Sequence, residues 1–375
     1  VANQHLHPES SPLFTPWVDP ASGVRSWILT ERAAPWQQSF YFTNNPITDD
    51  GRWLWLYSSY PPSPHVLGVV DLAEQTVAAF ADTAFEAESP WVDPSTGEVF
   101  WAHPGGVFRR RPGPGQPVVE VATLDDTVTG GRDVRRLSTH LTRSADGELL
   151  NVDLWAGNRW HVGVVHLDSG LLDVWFSADR RFQHSQFHPT EPRRLLLAQD
   201  YWHDDATGER QHWQNRIWVL DEGVDPVPLF PDDDERVQVQ FHEWWSADGV
   251  GVFYVDVGWG TGYVDLAADA ERRTVWPGGT CHSHASVDGA LLVGDINTYR
   301  WDAEPVRVAF YDTANGRETN IVSDWPAPPA RASMGYHPDP HPRFILDDEF
   351  VVYTTTVLGG LDLALTRVDE LVAGA

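Results

Sequence analysis

With 375 residues, 42% hydrophobic and 12% aromatic, the chain has ample material for a large core and nothing of a disordered composition. Its formal charge of −28 argues against nucleic acid as a partner, and no apolar run is long enough to cross a membrane as a helix. All 26 cationic residues are arginine, which removes Schiff-base chemistry, a phosphate-loop lysine and any lysine base. The single cysteine, Cys281, excludes an internal disulfide framework and leaves the compartment open.

One unit recurs along the chain: a tight turn with an acidic or polar residue, usually beside Gly, followed by a β-branched or aromatic run. The turns are Asp50-Gly51 before RWLWLYSS, Thr96-Gly97 before EVFWA and Asp146-Gly147 before ELLNVDLW. They continue with Glu191-Pro192 before RRLLLAQDYW, Asp248-Gly249 before VGVFYVDV, Asp288-Gly289 before ALLVGD and Asp347-Asp348 before EFVVYTTT. Successive turns lie 40 to 59 residues apart, the spacing of β-propeller blades. Most units carry a second hairpin, as in VLGVVDLAEQTVAAF and HVGVVHLDSGLLDVWFS. The expected fold is all-β, a seven-bladed β-propeller filling residues 1–375 as one domain. Residues 18–30 are expected to supply the outermost strand of the last blade and close the ring, which removes the open sheet edge. LDLALTRVDELVAG, the one helix-like stretch, reads as a strand of that blade. The Pro-rich segments 109–117 and 324–333 read as turns, and PDDDER (231–236) as a solvated acidic loop.

Counting back six residues from the turn acid reaches His140, His242, His282 and His341 in four units, and Asn44 in the first. Equivalent repeat positions share radius and height, so these imidazoles are expected to ring one mouth of the central channel. His242, Cys281, His282 and His341 are the candidate ligands of a divalent metal, with His284 and His337 in reserve. The neighbouring thiol favours Zn over Mn or Ca. A GxSxG elbow, a phosphate loop and a GxGxxG turn are all missing from the sequence.

A second constellation runs from His140 to His161, 21 residues on, then Tyr201 after another 40 and Arg216 after 15 more. Two imidazoles, a phenol and a guanidinium can together remove a weakly acidic proton beside a carboxylate. Arginine neutralises the carboxylate, and His or Tyr serves as base and acid.

These blades and histidines resemble the β-propeller polysaccharide lyases. Oligogalacturonate lyases are similar along most of the chain, through YFTNNPITDDG, HPTEPRRLLL, NRIWVLD, HEWW, CHSHASVDGALLVGD and HPRFILDDEFVVYT. That resemblance implies a metal ligand at His282. The family's His-Pro-His reads Asp339-Pro340-His341 here, so one ligand is replaced by Asp. The order His140, His161, Tyr201, Arg216 resembles the propeller lyases of ulvan and of rhamnosyl-glucuronate linkages, whose metal is structural or remote from the chemistry. The resemblance implies β-elimination at a glucuronate-containing glycan, leaving an unsaturated uronic acid. Tyr201 or His161 would be base or acid, with His140 orienting the uronate. Two alternatives stand beside it. One is an oligogalacturonate lyase, in which the metal binds the carboxylate and Arg216 is the base. The other is a non-catalytic propeller that binds glycan or protein.

Overall fold

The computed structural model describes residues 2–373 except 86–88, 125, 205, 212–214, 231–239, 257, 268–271, 299–304 and 329–335. The acidic loop 231–236, and residues 329–333 of the second Pro-rich segment, therefore lie outside the described residues.

Each of the seven turns joins the innermost strand of an antiparallel sheet to the next strand out, and seven such sheets follow one another along the chain. Four turns use one side-chain scheme. Ser246 Oγ donates to Asp248 Oδ1 at 2.7 Å, Ser286 to Asp288 at 2.7 Å, Ser144 to Asp146 at 2.6 Å, and Thr48 to Asp50 at 2.7 Å. The glycine after each acid has positive φ, which a side chain rarely tolerates. A Cβ on Gly249 would also stand 2.3 Å from the His188 ring. Gly249→Ala is therefore expected to destabilise the fold by about 1–3 kcal/mol, read as a lower melting temperature beside Gly113→Ala, whose site is open.

The strands bury alternating aliphatic and aromatic faces between blades rather than within one centre. Seven hydrophobic clusters result among the described residues, one at each junction between neighbouring blades, including the junction of the last with the first. At that last junction Leu29 and Trp27 from the N-terminal segment pack with Leu54, Leu56, Val352 and Leu365.

Ring closure differs from expectation in detail. Arg25–Leu29 pairs with Asp362–Arg367, Trp27 opposite Leu365, so the N-terminal segment does complete the last blade. It is not the outermost strand, however, because Phe14–Val18 folds back on it and makes the blade five-stranded. Pro16 fits this edge position, where a missing N–H breaks no ladder. The C-terminal reading is also corrected. After the strand Asp362–Arg367 the chain turns into a short helix, Val368–Ala373. Asp369 and Glu370 sit in its first turn, where negative charge suits the helix dipole, and Arg317 Nη2 donates to the Leu371 carbonyl at 2.9 Å. With the blades numbered in chain order, blade 3 runs from Val134–Arg136 to Leu172–Ala178, blade 4 from Phe182–Phe187 to Val227–Pro228 and blade 5 from Gln240–Trp245 to Arg273–Pro277. Blade 4 carries an insertion, the small hairpin Trp202–His203 with Arg210–Gln211, which accounts for the long gap between its turn and the next.

Candidate functional site

The inner strands lead into the channel and there lose their regular register. Phe182–Phe187, Gln240–Trp245 and Thr280–Ala285 each contain a register shift, between Gln183 and Gln186, Phe241 and Trp244, and Thr280 and Ser283. Such bulges re-aim side chains, and here the bulged residues are His184, His242 and the Cys281-His282 pair. His184, His242 and His341 hold positive φ of 55°, 52° and 46°. That backbone is uncommon for a residue with a Cβ and is held only where the surroundings over-determine it.

The four histidines found by repeat position do meet. The His282 ring lies 4.2 Å from His242 and 4.3 Å from His341. Tyr41, from the loop after the first inner strand, fills the space between them and His140. Its ring stacks on His140 at 4.5 Å and approaches His341 at 4.8 Å and His282 at 5.6 Å. His184 stands edge-on to His140 at 4.6 Å. Burial holds the imidazoles of His140, His184, His242 and His341 well below the usual range and that of His282 at about 3, so all are neutral near pH 7.

Asp295 ties two of these blades together. Its carboxylate accepts from His282 Nδ1 at 2.9 Å, the His282 amide at 2.8 Å and the His341 amide at 3.2 Å. Burial still pushes this carboxyl up to about 7. The contact fixes the His282 tautomer and turns its Nε2 outward. The Nε2 atoms of His282 and His341 are buried and without a hydrogen-bond partner. His337, Asp339 and His341 each bring a ligand atom within 4.8 Å of those of the others and of His282. Two unsatisfied imidazole nitrogens beside a carboxylate suit a divalent ion, so this His/Asp group can hold one.

The expected foursome is accordingly divided. His242, Cys281 and His282 form a separate group that shares only His282 with the first. His242 Nδ1 is engaged by the Cys281 carbonyl at 2.5 Å, and burial raises the Cys281 thiol well above its usual range. The Cys281 thiol, the one ligand that favours zinc, is not part of the His/Asp group.

His140, His161, Tyr201 and Arg216 stand in different relations to the channel mouth. His140 lines a cavity of about 170 Å³ at the channel mouth, with both ring nitrogens buried and unpartnered. Arg216, 6% exposed, is held between Glu243, with Nε to Oε2 at 3.2 Å, and Asp200, with Nη1 to Oδ1 at 3.4 Å. Burial works against its charge, but those two carboxylates outweigh it and raise its pKa. Tyr201 is 40% exposed, with Arg210 4.2 Å over its ring. His161 is half-buried and pairs through Nδ1 with Ser177 Oγ at 2.7 Å. Its neighbour Trp160 packs towards Trp202 of the inserted hairpin, and successive strand residues face opposite ways, so His161 looks to the other side of its blade. His161, Tyr201 and Arg216 are not part of the cavity lining, although the Tyr201 ring stands 5.9 Å from the guanidinium of Arg181, which is.

The cavity holds residues that sequence reasoning missed: Tyr41, Arg136, Arg181, Gln183 and His184. His184 carried a readable signal. In blade 4 the turn spans His188 to Arg194, one residue longer than Ser246 to Gly251 in blade 5, which displaced the count by one. Asp153 and Asp295, seven residues past their turn acids, were also legible as a pair. Asp153 joins Thr139 of blade 3 to Ser185 of blade 4 as Asp295 joins His282 to His341. A larger cavity of about 450 Å³ opens at the turn end of the channel around Arg343, Asp347 and Trp244. Volume does not decide between the two; the convergent neutral imidazoles single out the smaller.

No protein-family model matches the chain, and no curated protein matches it. Solved structures do. An oligogalacturonate lyase in complex with manganese superposes with a TM-score of 0.75 at 18% identity, over 94% of this chain and 96% of that one. An oligogalacturonate lyase from Vibrio parahaemolyticus gives 0.74 at 16%, over 96% and 97%. The β-propeller domain of Myceliophteria thermophila Cps50 (Swd1) follows at 0.54 and 10%, over 87% and 96%. At these identities the likeness is one of fold: a propeller built like that of the lyases.

Proposed function

We propose that the protein is a carbon–oxygen lyase that cleaves uronate-containing oligosaccharides by β-elimination, with oligogalacturonates its first-choice substrate. The observation that carries this reading is the meeting, at one channel mouth, of a His/Asp group suited to a divalent ion with neutral imidazoles and arginines. The two superposing lyases and the lesser part played by His161 and Tyr201 favour oligogalacturonate over ulvan or rhamnosyl-glucuronate glycans.

β-Elimination needs loss of the C5 proton of a uronate, which is acidic only when the neighbouring carboxylate is neutralised. His282, His337, Asp339 and His341 would hold a divalent ion, which supplies that neutralising charge when bound. His140 is the residue assigned to take the C5 proton; that C–H electron pair forms the C4–C5 double bond as the C4–O4 bond breaks, and the imidazolium returns a proton to the leaving O4. His140 is neutral, lines the cavity and has an unshared ring nitrogen. Tyr41 stacks on the ring and holds its plane, and His184 stands beside it as a second acceptor. Arg216, kept cationic by Glu243 and Asp200, is a poor base in this setting and ties those two carboxylates together.

The test is the ultraviolet absorbance of an unsaturated uronate, followed with oligogalacturonate, ulvan and gum arabic. With oligogalacturonate and Mn²⁺ the absorbance is expected to rise, to stop on adding a chelator, and to fall about 10²–10⁴-fold in His140→Ala. A full rate in His140→Ala overturns the assignment of the base. No product from any of the three polymers overturns the lyase reading.

A further inference from the structure

Two guanidiniums in the cavity are unlike the other buried arginine nearby. Arg216 is neutralised by two carboxylates, whereas Arg136 and Arg181 have no carboxylate within ion-pair distance among the described residues. They are joined instead by an amide: Gln183 Oε1 accepts from Arg136 Nη2 at 2.8 Å and from Arg181 Nε at 2.8 Å. Gln183 is 2% exposed and is itself fixed by donating to Asp200 Oδ2 at 2.7 Å. Arg181 Nη1 reaches the Tyr201 carbonyl at 3.3 Å, and the Arg136 Nε is buried without a partner. Burial lowers the Arg181 pKa and the nearby Arg136 charge adds to it, so two like charges press on one space. Asp153 and Asp200 stand behind the pair and only partly offset it. In a chain of charge −28 this is a local reversal of sign at the wall of the cavity.

We propose that Arg136 and Arg181, bridged by Gln183, form a receptor for a second oxyanion of the substrate, a carboxylate or sulfate on the sugar next to the reacting uronate. Planar guanidiniums with free donor edges recognise oxyanions through paired hydrogen bonds. The receptor and the His/Asp group occupy the same mouth but different residues, so one substrate can present one anion to each. This rests on the lyase reading for the identity of the substrate. It makes the enzyme selective for sugars that carry two consecutive anionic groups.

Inorganic sulfate and digalacturonate titrated calorimetrically into the intact protein test the receptor directly. Arg136→Gln and Arg181→Gln are each expected to weaken both ligands by at least about tenfold, the loss of a charge-assisted bond. Gln183→Ala keeps both cations, so a smaller loss there tests the bridge even if an arginine variant does not fold. Turnover supplies the second arm. Wild type should prefer trigalacturonate to its analogue methyl-esterified on the neighbouring unit, and Arg181→Gln should lose that preference through KM. A like preference for sulfated over desulfated ulvan fragments would identify sulfate as the natural anion. Unaltered sulfate and digalacturonate affinity in all three variants overturns the receptor, as does wild-type indifference to the neighbouring charge while turnover persists. If no uronide is cleaved yet the variants lose sulfate binding, the lyase reading falls and the receptor stands.

Discussion

Arg216→Met is expected to destabilise the protein by about 3–5 kcal/mol, far more than its single contact list suggests. The guanidinium sits over the Phe241 ring at 4.8 Å, with Glu243 and Asp200 on either side. The Glu243 side chain is fully buried, and its other oxygen, Oε1, has no hydrogen bond and faces His184 Nδ1 at 3.6 Å. Without Arg216 that carboxylate is an uncompensated charge in a dry place. Arg216→Lys keeps the charge, but a single ammonium cannot span two carboxylates as the planar fork does, so recovery should be partial. Arg216→Met combined with Glu243→Gln should recover stability relative to Arg216→Met alone, because the stranded charge is gone. Urea unfolding of wild type, Arg216→Met, Glu243→Gln and the double variant gives the coupling. A loss in Arg216→Met within the error of an ordinary surface change would mean the pair is not buried as described.

The parts of this architecture that are local in the chain are legible in the sequence. A Ser/Thr-x-Asp-Gly turn and the alternating run after it need nothing from elsewhere, so four turns are legible by that motif and the other three by the run that follows and the spacing. The equivalence of repeat positions then carried His140, His242, His282 and His341 to one mouth without a single long-range contact being known. What failed to show was whatever depends on one blade facing another. Arg136 and Arg181 are ordinary strand-end arginines in sequence and become a pair only when blades 3 and 4 are side by side around Gln183. Tyr41 is one aromatic among many until the ring closes around it. His161 illustrates the converse: linear order and spacing selected it, but order does not encode which face of a blade a residue takes. One extra residue in the blade 4 turn was enough to hide His184 from a count that worked in four other blades.

Stability is expected to drop steeply below about pH 6.5, the ordinary imidazole range, with the melting temperature falling by at least about 5–10 °C between pH 7 and 5. The cause is the buried imidazoles. Burial holds His65 down at about 4 and His282 at about 3, and lowers His140, His184, His242, His284 and His341 as well. In the unfolded chain all of these protonate near the ordinary value, while in the fold they stay neutral. Below it the unfolded state therefore holds more protons, and each such group removes up to about 1.4 kcal/mol of stability per pH unit of acidification until its folded pKa is reached. Asp295, raised by burial to about 7, and Asp362, raised to about 6, act in the opposite sense. They keep a proton in the fold that the unfolded chain has lost, so their stabilisation fades as pH rises through those values. Asp49, Asp153 and Asp348 are raised as well, as is the His337 imidazole, and these groups offset part of the slope; the seven lowered imidazoles set its sign. His65 isolates the effect, since it lies outside the His/Asp group and is bound through Nδ1 to Ser59 Oγ at 2.7 Å. His65→Gln should make the acid limb shallower by about one proton, or about 1.4 kcal/mol per pH unit. A melting temperature that stays level from pH 7 to 5, or an acid limb unchanged in His65→Gln, would show that these rings are not held neutral by burial, and the assignment of His140 as a neutral proton acceptor would lose its footing with them.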